Sequence, residues 1–333
     1  MKQTPVLKIV VLIASFAFGS TDTTAKTPED VDLARLNGWD IVVASDLIPS
    51  EQYAAEEFQQ CFGKASGIRL PIVTAVDRPN GHVFIGPSQT LGASNVGFSV
   101  DDFGEEDLRI VIRDGNIAIA GGRPRGTLYG VYTFLEDYLG MRFLTHDHIH
   151  VPRIGKSRIV GPVDRSYQPP LDYRDVTYGE NRVHPQQGVR LRQNTCTEDP
   201  TLGGRTSIIN INHSFYRQVP GSWGSQPCLS DPKVLDMVIQ AVKKELEERP
   251  DAKNVQVAQN DGGSNYCTCE QCTATDEREE SHMGSLLIFV NAVADEIVKT
   301  HPNVKIGTLA YNYSQKPPKN IEPRPNVQIQ LCS

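Results

Sequence analysis

The chain has 333 residues, of which 39% are hydrophobic and 22% charged, so it can bury a core, and its composition excludes a disordered or collagen-like chain. Lys and Arg number 33 against 40 Asp and Glu, a net charge of −7. This balance disfavours nucleic acid as the main partner, because duplex binding needs a basic face. The mean hydropathy of −0.34 excludes a multi-span membrane protein. The length predicts about two domains.

The N-terminus has the pattern of an export signal. Lys2 and Lys8 lie at or before the start of an apolar run at residues 9–18, and Ala17 and Gly19 place small residues at its end. Basic residues, a short apolar run and then small residues at a possible cleavage site predict a secretory signal peptide over residues 1–25. An uncleaved membrane anchor is the alternative. We therefore expect a secreted or periplasmic protein that meets the membrane only through this segment.

Residues 36–152 predict an α+β domain. The positions of Ala54, Phe58 and Phe62 recur at helical spacing, and residues 126–139 carry a second apolar helical stripe. Asp114-Gly115 separates two β-branched runs and predicts a hairpin. Strands with packed helices form one layered domain. The flanking segments, residues 20–35 and 153–170, are polar or rich in Pro and predict linkers.

Residues 171–333 alternate predicted strands and helices, which is typical of a parallel α/β fold and most simply of a (β/α) barrel. Asp231 and Pro232 predict the start of one helix, and another begins near His282. A complete barrel needs about 250 residues. We therefore expect an incomplete TIM-type barrel, cut short at the C-terminus, or a smaller open α/β sheet. The predicted strands are residues 171–178, 207–211, 255–258, 305–311 and 327–331.

Several stretches resemble known carbohydrate-active proteins. Arg-Gly-Thr-Leu-Tyr-Gly-Val-Tyr at residues 125–132 and Tyr-Ala-Ala-Glu-Glu-Phe at 53–58 resemble the N-terminal α+β domain of β-hexosaminidases and α-glucuronidases. Gln-Asn-Asp at 259–261 and Cys-Thr-Cys-Glu-Gln-Cys at 267–272 resemble domain-of-unknown-function family 4838. In that family this domain is fused to a glycosidase-like barrel. The resemblance covers roughly residues 40–333 and implies an exported, glycoside-hydrolase-like protein of carbohydrate metabolism. It implies action on polysaccharide that contains amino sugars or uronic acids.

Asp261 is the candidate catalytic residue. Glycosidic hydrolysis uses a protonated carboxyl together with a nucleophile or base, or with the acetamido oxygen of the substrate itself. Asp261 follows the strand at 255–258 and precedes Gly262-Gly263, and the strand end of a barrel opens into its active mouth. We expect Asp261 to act as acid or polariser, with Asn260 as a hydrogen-bonding neighbour. The alternative is that Asp261 caps a loop or helix.

Four further residues are candidates for carbohydrate binding. His213 follows a predicted strand, and Tyr311 and Tyr313 follow another. Tyrosine rings at strand ends predict a stacking wall for a sugar face, and Trp223 in a Gly-rich loop is a further stacking candidate. Structural packing is the alternative for each of them.

The cysteines predict a structural staple. Cys267, Cys269 and Cys272 follow Asp261 closely, and Cys228 or Cys332 could supply a fourth ligand for zinc. An exported protein could instead oxidise them to disulfides. Because a second CxxC pair is missing, we expect these cysteines to staple the mouth loop, through disulfides or a structural zinc ion, the zinc being the less favoured, rather than to hold a catalytic metal or cofactor. The alternatives to an enzyme are a non-catalytic carbohydrate-binding protein and an inactive, truncated homologue.

Overall fold

The structure is a computed structural model that describes residues 30–176, 179–263 and 265–332. The predicted signal peptide, residues 1–25, lies outside this part of the chain. Within the described ranges, no helix is both long enough and apolar enough to cross a bilayer. The chain forms a mixed α/β structure with two main sheets and a separate apolar core beside each.

The strands of the first part are β1 (Val31–Asp32), β2 (Asp40–Val42), β3 (Ile72–Val73), β4 (His82–Ile85), β5 (Leu108–Arg113), β6 (Asn116–Gly121), β7 (Arg142–Phe143), β8 (Ile149–His150), β9 (Ile159–Val160) and β10 (Val163–Tyr167). Its helices are α1 (Pro49–Ser66), α2 (Gln89–Gly92) and α3 (Gly126–Asp137), with a 3-10 helix at Leu33–Arg35.

Six strands form the larger sheet, in the order β10-β5-β6-β4-β2-β3. The neighbours β6, β4, β2 and β3 pair in parallel, whereas β5 is antiparallel to both β6 and β10. Helices α1 and α3 cover one face, where Phe58, Tyr132 and Phe134 are fully buried. On the other face Phe84 packs in a second cluster with Leu91 of α2. The sheet is therefore covered on both sides.

The hairpin predicted from Asp114-Gly115 is present. Asp114 has a φ of 47° and Gly115 a φ of 74°, so both turn residues are left-handed, as a type I′ turn requires. Arg113 and Asn116 pair across it, in register with the whole of β5 and β6. This turn sets the register between β5 and β6.

The segments predicted as linkers contain strands. Strand β9 pairs with β1, and β10 pairs along its whole length with β5 at the sheet edge. Because β10 is an edge strand with mostly exposed side chains, its sequence lacks the alternating pattern of a half-buried strand. Residues 153–170 therefore belong to the first sheet and its surroundings.

The helices of the second part are α4 (Glu180–Val183), α5 (Pro185–Arg190), α6 (Phe215–Gln218), α7 (Pro232–Glu248), α8 (Glu270–Glu279) and α9 (Met283–Ile297). Its strands are β11 (Asn254–Gln256), β12 (Lys305–Ala310) and β13 (Val327–Leu331), and residues Pro200–Leu202 and Asn312–Ser314 form 3-10 helices.

The early residues of the predicted second domain pack on the first. Val189 of α5 and Leu202 belong to the core of the first sheet. Arg190 forms a buried ion pair with Glu57 of α1, with an N–O distance of 3.1 Å. The change from one core to the other thus lies after this segment and not at residue 171.

Strands β11, β12 and β13 form a parallel sheet in that order. Helix α7 begins as predicted, with Asp231 accepting a hydrogen bond from the Lys233 amide and Pro232 in the first turn. Val238 and Val242 of α7 pack with α9 and with the core of this sheet. In the described residues the sheet does not close, so a TIM-type barrel is not formed by this part of the chain.

Two predicted strands differ from the structure. Residues 171–176 are irregular, and positions 177–178 lie outside the described part. Residues 207–211 run beside β11 without a backbone ladder. The Ile209 amide instead donates to the Asn254 side chain at 2.8 Å, and the Gln256 side chain donates to the Asn210 carbonyl at 3.0 Å. Side-chain amides therefore take the place of the strand pairing that the apolar sequence predicted.

Candidate functional site

Three of the predicted site residues meet at the carboxyl end of the parallel sheet. Asp261 follows β11 and Tyr311 follows β12, and parallel neighbours end at the same edge. The Tyr311 hydroxyl donates to Asp261 Oδ1 at 3.2 Å, and His213 Nε2 lies 3.6 Å from the same oxygen. Asp261 therefore lies between a phenol and an imidazole.

The ring of His213 has a fixed tautomer. Its Nδ1 lies 2.8 Å from the backbone carbonyl of Gln259, which can only accept, so Nδ1 carries a proton. In the neutral ring Nε2 is then an acceptor on the side of Asp261. The ring packs edge-on against Tyr311, with 5.4 Å between centroids. His213 can thus accept a hydrogen bond from a hydroxyl group of a ligand.

Asn260 holds the loop beside the site. Its Oδ1 accepts from the Tyr216 amide at 2.6 Å, and its Nδ2 donates to the carbonyls of Ser222 and Ser225, both at 2.8 Å. Its backbone amide and carbonyl both bond to the side chain of Gln226. Asn260 is buried. The side chain of Asn260 therefore positions this loop, which borders the cavity described next.

A cavity of about 560 Å³ opens next to Asp261. One wall is aromatic: Trp223 is 79% exposed and meets Tyr216 edge-to-face, with ring centroids 5.1 Å apart. The volume is within the range of small-molecule sites, and an exposed Trp beside a cavity provides a stacking platform.

The cavity carries more positive than negative charge. Arg205 and Arg217 line it, and Asp261 is the one carboxylate among its described lining residues. The Arg217 guanidinium lies over the Tyr216 ring, 5.3 Å from its centroid. Glu198 lies 3.6 Å from Arg205, and the Glu198 side chain is largely exposed. Guanidinium groups can bind carboxylates in a bidentate manner.

Tyr311 and Tyr313 do not form a stacking wall. Tyr311 supports Asp261 through its hydroxyl, and neither tyrosine is among the residues that line the cavity. Tyr313 packs with Tyr266 and His282, at centroid distances of 5.3 and 6.2 Å. Burial, with the nearby charge of Asp276, raises the pKa of Tyr313 well above its usual value. Tyr313 is therefore a packing residue.

Four cysteines converge beside the same loops. The Sγ atoms of Cys228, Cys267, Cys269 and Cys272 all lie within 4.8 Å of one another. Every cysteine of the described part is a free thiol, so no disulfide joins these four residues. Cys332, the other candidate from the sequence, packs elsewhere, near Ile211, Ala258 and Leu309.

The environments of these thiols differ. Ser230 Oγ lies 3.2 Å from Cys269 Sγ, and this hydrogen bond, with one from the Cys272 amide, lowers the pKa of Cys269 to about 6. Burial raises the pKa of Cys267 to about 12.

A family model described as "Domain of unknown function (DUF4838)" matches residues 143–333, more than half of the chain. The chain belongs to the DUF4838 family. The predicted resemblance to this family is therefore confirmed. No curated protein matches the chain.

Two of the solved structures to which this DUF4838 protein is similar are a hexosaminidase and a glucuronidase. A β-N-acetylhexosaminidase from Bacteroides fragilis has 13% identity and a TM-score of 0.45, covering 88% of this chain and 66% of the other. A family GH115 4-O-methyl-α-glucuronidase with specificity for decorated arabinogalactans has 15% identity and a TM-score of 0.44, covering 88% and 45%. The DUF4838 chain thus spans less than two thirds of the length of either structure.

Sequence reasoning missed three residues of the site in this DUF4838 chain. Tyr216 and Arg217 lie in α6, directly after the strand-end His213, and Arg205 precedes the segment beside β11. The available signal was position: α6 follows His213 by two residues, so a ligand site that includes His213 would be expected to include the first turn of that helix.

Proposed function

We propose that the cavity beside Asp261 binds an acidic saccharide, such as a uronic acid residue of a polysaccharide, and that the chain is a glycosidase-like protein. The observation that carries this proposal is the pairing of an exposed stacking ring, Trp223, with two guanidinium groups, Arg205 and Arg217, in one cavity. Stacking suits the apolar face of a sugar ring, and the arginines suit its carboxylate. The predicted signal segment supports an exported location for this activity.

Asp261 is the residue that would polarise a glycosidic oxygen. The hydroxyl of Tyr311 donates to one oxygen of its carboxyl group, and Asp261 is one of the residues that line the cavity. Hydrolysis also needs a second group, either another carboxyl or the substrate's own acetamido oxygen. We propose that β11, β12 and β13 are part of a (β/α) barrel, whose strand ends provide the surroundings of Asp261.

Carbohydrate binding without turnover is the second candidate. It is favoured by the presence of a single carboxylate, Asp261, among the described residues that line the cavity. Most glycoside hydrolases place two carboxyl groups around the scissile bond.

Calorimetric titration with oligosaccharides tests the binding proposal. We expect glucuronic or galacturonic acid oligomers to bind more tightly than neutral glucose oligomers. Arg217→Gln should weaken acidic-sugar binding about tenfold or more, because a charge-assisted hydrogen bond is lost. The matched control is Arg165→Gln, which removes a half-exposed pair with Asp137 away from the cavity. Equal affinity for acidic and neutral oligomers, or equal losses in both variants, would contradict the proposal.

A panel of aryl glycosides separates the enzyme from the binding protein. If the chain hydrolyses one of them, Asp261→Asn should reduce kcat at least about a hundredfold, as expected for loss of general acid–base catalysis. Hydrolysis that is unchanged in Asp261→Asn would remove Asp261 from the mechanism. Binding of acidic oligomers without any hydrolysis would establish the second candidate.

A further inference from the structure

The four-cysteine cluster has the dimensions of a single-ion site. In a tetrahedral zinc centre the Zn–S bonds are about 2.3 Å, which places any two sulfurs about 3.8 Å apart. Cys228 Sγ and Cys269 Sγ lie 3.7 Å apart, and no pair in the cluster exceeds 4.8 Å. We propose that Cys228, Cys267, Cys269 and Cys272 bind one structural Zn²⁺ ion as four thiolates. This inference does not depend on the proposed carbohydrate function.

The arrangement fits a metal better than oxidation. In a disulfide the two sulfurs are about 2.05 Å apart and each sulfur has one partner. Here four sulfurs converge on one centre, and Cys269 Sγ and Cys228 Sγ both contact Ser230 Oγ at 3.2 Å. An iron–sulfur cluster requires room for several iron and sulfide atoms inside the four cysteines. A set of sulfurs this close together leaves space for one ion.

The local backbone is suited to thiolate ligands. Cys269 is the N-cap of α8, and the Cys272 amide lies 3.5 Å from Cys269 Sγ. The N-terminal end of a helix stabilises negative charge, and an N–H group directed at a thiolate does the same. Binding exchanges four thiol protons for one Zn²⁺ and releases the protons to solvent, leaving a centre of charge −2.

The ion would join the two loops that border the cavity. Cys228 lies five residues after Trp223 in the first loop, and the other three cysteines follow Asp261 in the second. The same loops already meet through Asn265, whose carbonyl accepts from the Gln226 amide at 3.1 Å and whose side chain donates to the Gly224 carbonyl at 3.0 Å. A tetrathiolate zinc centre would connect these two loops through Zn–S bonds in addition to the hydrogen bonds of Asn265.

Metal analysis of the full-length chain, purified under reducing conditions, tests the site directly. We expect one zinc ion per chain by mass-spectrometric elemental analysis. Replacement by Co²⁺ should give the intense visible bands of tetrahedral cobalt and a sulfur-to-cobalt charge-transfer band in the near ultraviolet. Absence of zinc from a folded chain whose four cysteines are reduced, as shown by its intact mass, would overturn the proposal. So would a weak, octahedral cobalt spectrum.

Variants identify the ligands. Cys269→Ser should retain zinc at least about tenfold less well against a competing chelator, since even indirect changes at metal sites cost about 10–100-fold in affinity. Cys332→Ser, the matched control outside the cluster, should keep wild-type retention. Removing zinc from the wild-type chain should speed hydrogen exchange in residues 222–230. Equal zinc retention in both variants would overturn the ligand assignment, and a Cys269→Ser chain that does not fold leaves the wild-type metal and cobalt measurements to decide.

Discussion

Asn260 shows how one buried side chain can organise a surface cavity. Asn260→Ala would leave the Tyr216 amide and the carbonyls of Ser222 and Ser225 without their partners. Each buried polar group left unsatisfied costs about 1–3 kcal/mol, so we expect the free energy of unfolding to fall by about 2–3 kcal/mol in urea titrations. Asn212→Ala, at an exposed position nearby, should change it by less than about 0.5 kcal/mol. Equal changes in the two variants would show that the Asn260 hydrogen bonds contribute no more to stability than an exposed side chain does.

The carboxylate of Asp32 in β1 makes hydrogen bonds whose contribution to stability depends on pH. Burial raises the pKa of this carboxyl, but hydrogen bonds from the Arg158 and Ala34 amides outweigh it, and the pKa lies below its usual 3.8. A carboxylate of this kind stabilises the fold above its unfolded-state pKa, and that contribution is lost as the pH falls through the lower, folded value. Asp32→Asn should therefore flatten the pH dependence of unfolding below about pH 4. Urea titrations at several pH values measure this, with exposed Asp77→Asn as the control.

At the scale of elements, β6 and α3 meet through glycines. A Cβ on Gly126 would lie 2.3 Å from the Asp107 carbonyl oxygen and 3.0 Å from the Gly121 backbone. Since both neighbours are backbone atoms, they cannot move aside, and Gly126→Ala should destabilise the first domain by at least about 2 kcal/mol. Gly92→Ala, with no atom near its Cβ, should leave stability unchanged or raise it slightly. Thermal melts of the two variants compare them, and similar melting temperatures would refute the close approach.

The elements that the sequence predicted best are those with local signals. Helix α7 has a capping Asp231 and a continuous apolar stripe, and the β5–β6 hairpin has its turn residues. Helix α8 was missed because its sequence is polar and its few buried residues include Cys272. Asp261 and Tyr311 were found because parallel neighbouring strands end at the same edge of a sheet, whereas His213 follows a segment that runs beside β11 without forming a strand. The role of Asn260 depends on a loop that folds back from a distant part of the chain, which no local pattern indicates.

At the scale of the whole molecule, a buried charge network joins the early and later parts of the chain. Glu106 accepts from Arg125 Nε at 2.7 Å and from Asn194 Nδ2 at 2.9 Å, and it also pairs with Arg174. Glu106→Gln leaves two largely buried guanidinium groups with one partner charge fewer. Breaking a buried ion pair in this way costs about 3–5 kcal/mol.

We therefore expect Glu106→Gln to melt at a clearly lower temperature than the wild type, with faster hydrogen exchange both in β6 and around Asn194. Glu56→Gln, an exposed change on α1, serves as the control and should melt like the wild type. Exchange that increases on only one side of the network would show that the two parts are coupled through other contacts.

The hydrogen bonds among Asn260, Gln226 and Ser222 also affect the rate of ligand binding and the conformational entropy that binding costs. Because this loop is already ordered in the free protein, little conformational entropy remains to be lost when a ligand arrives. Association should then be a single fast step without a slow rearrangement phase, and Trp223, whose ring stands largely in solvent, is the side chain whose motion a ligand would restrict most.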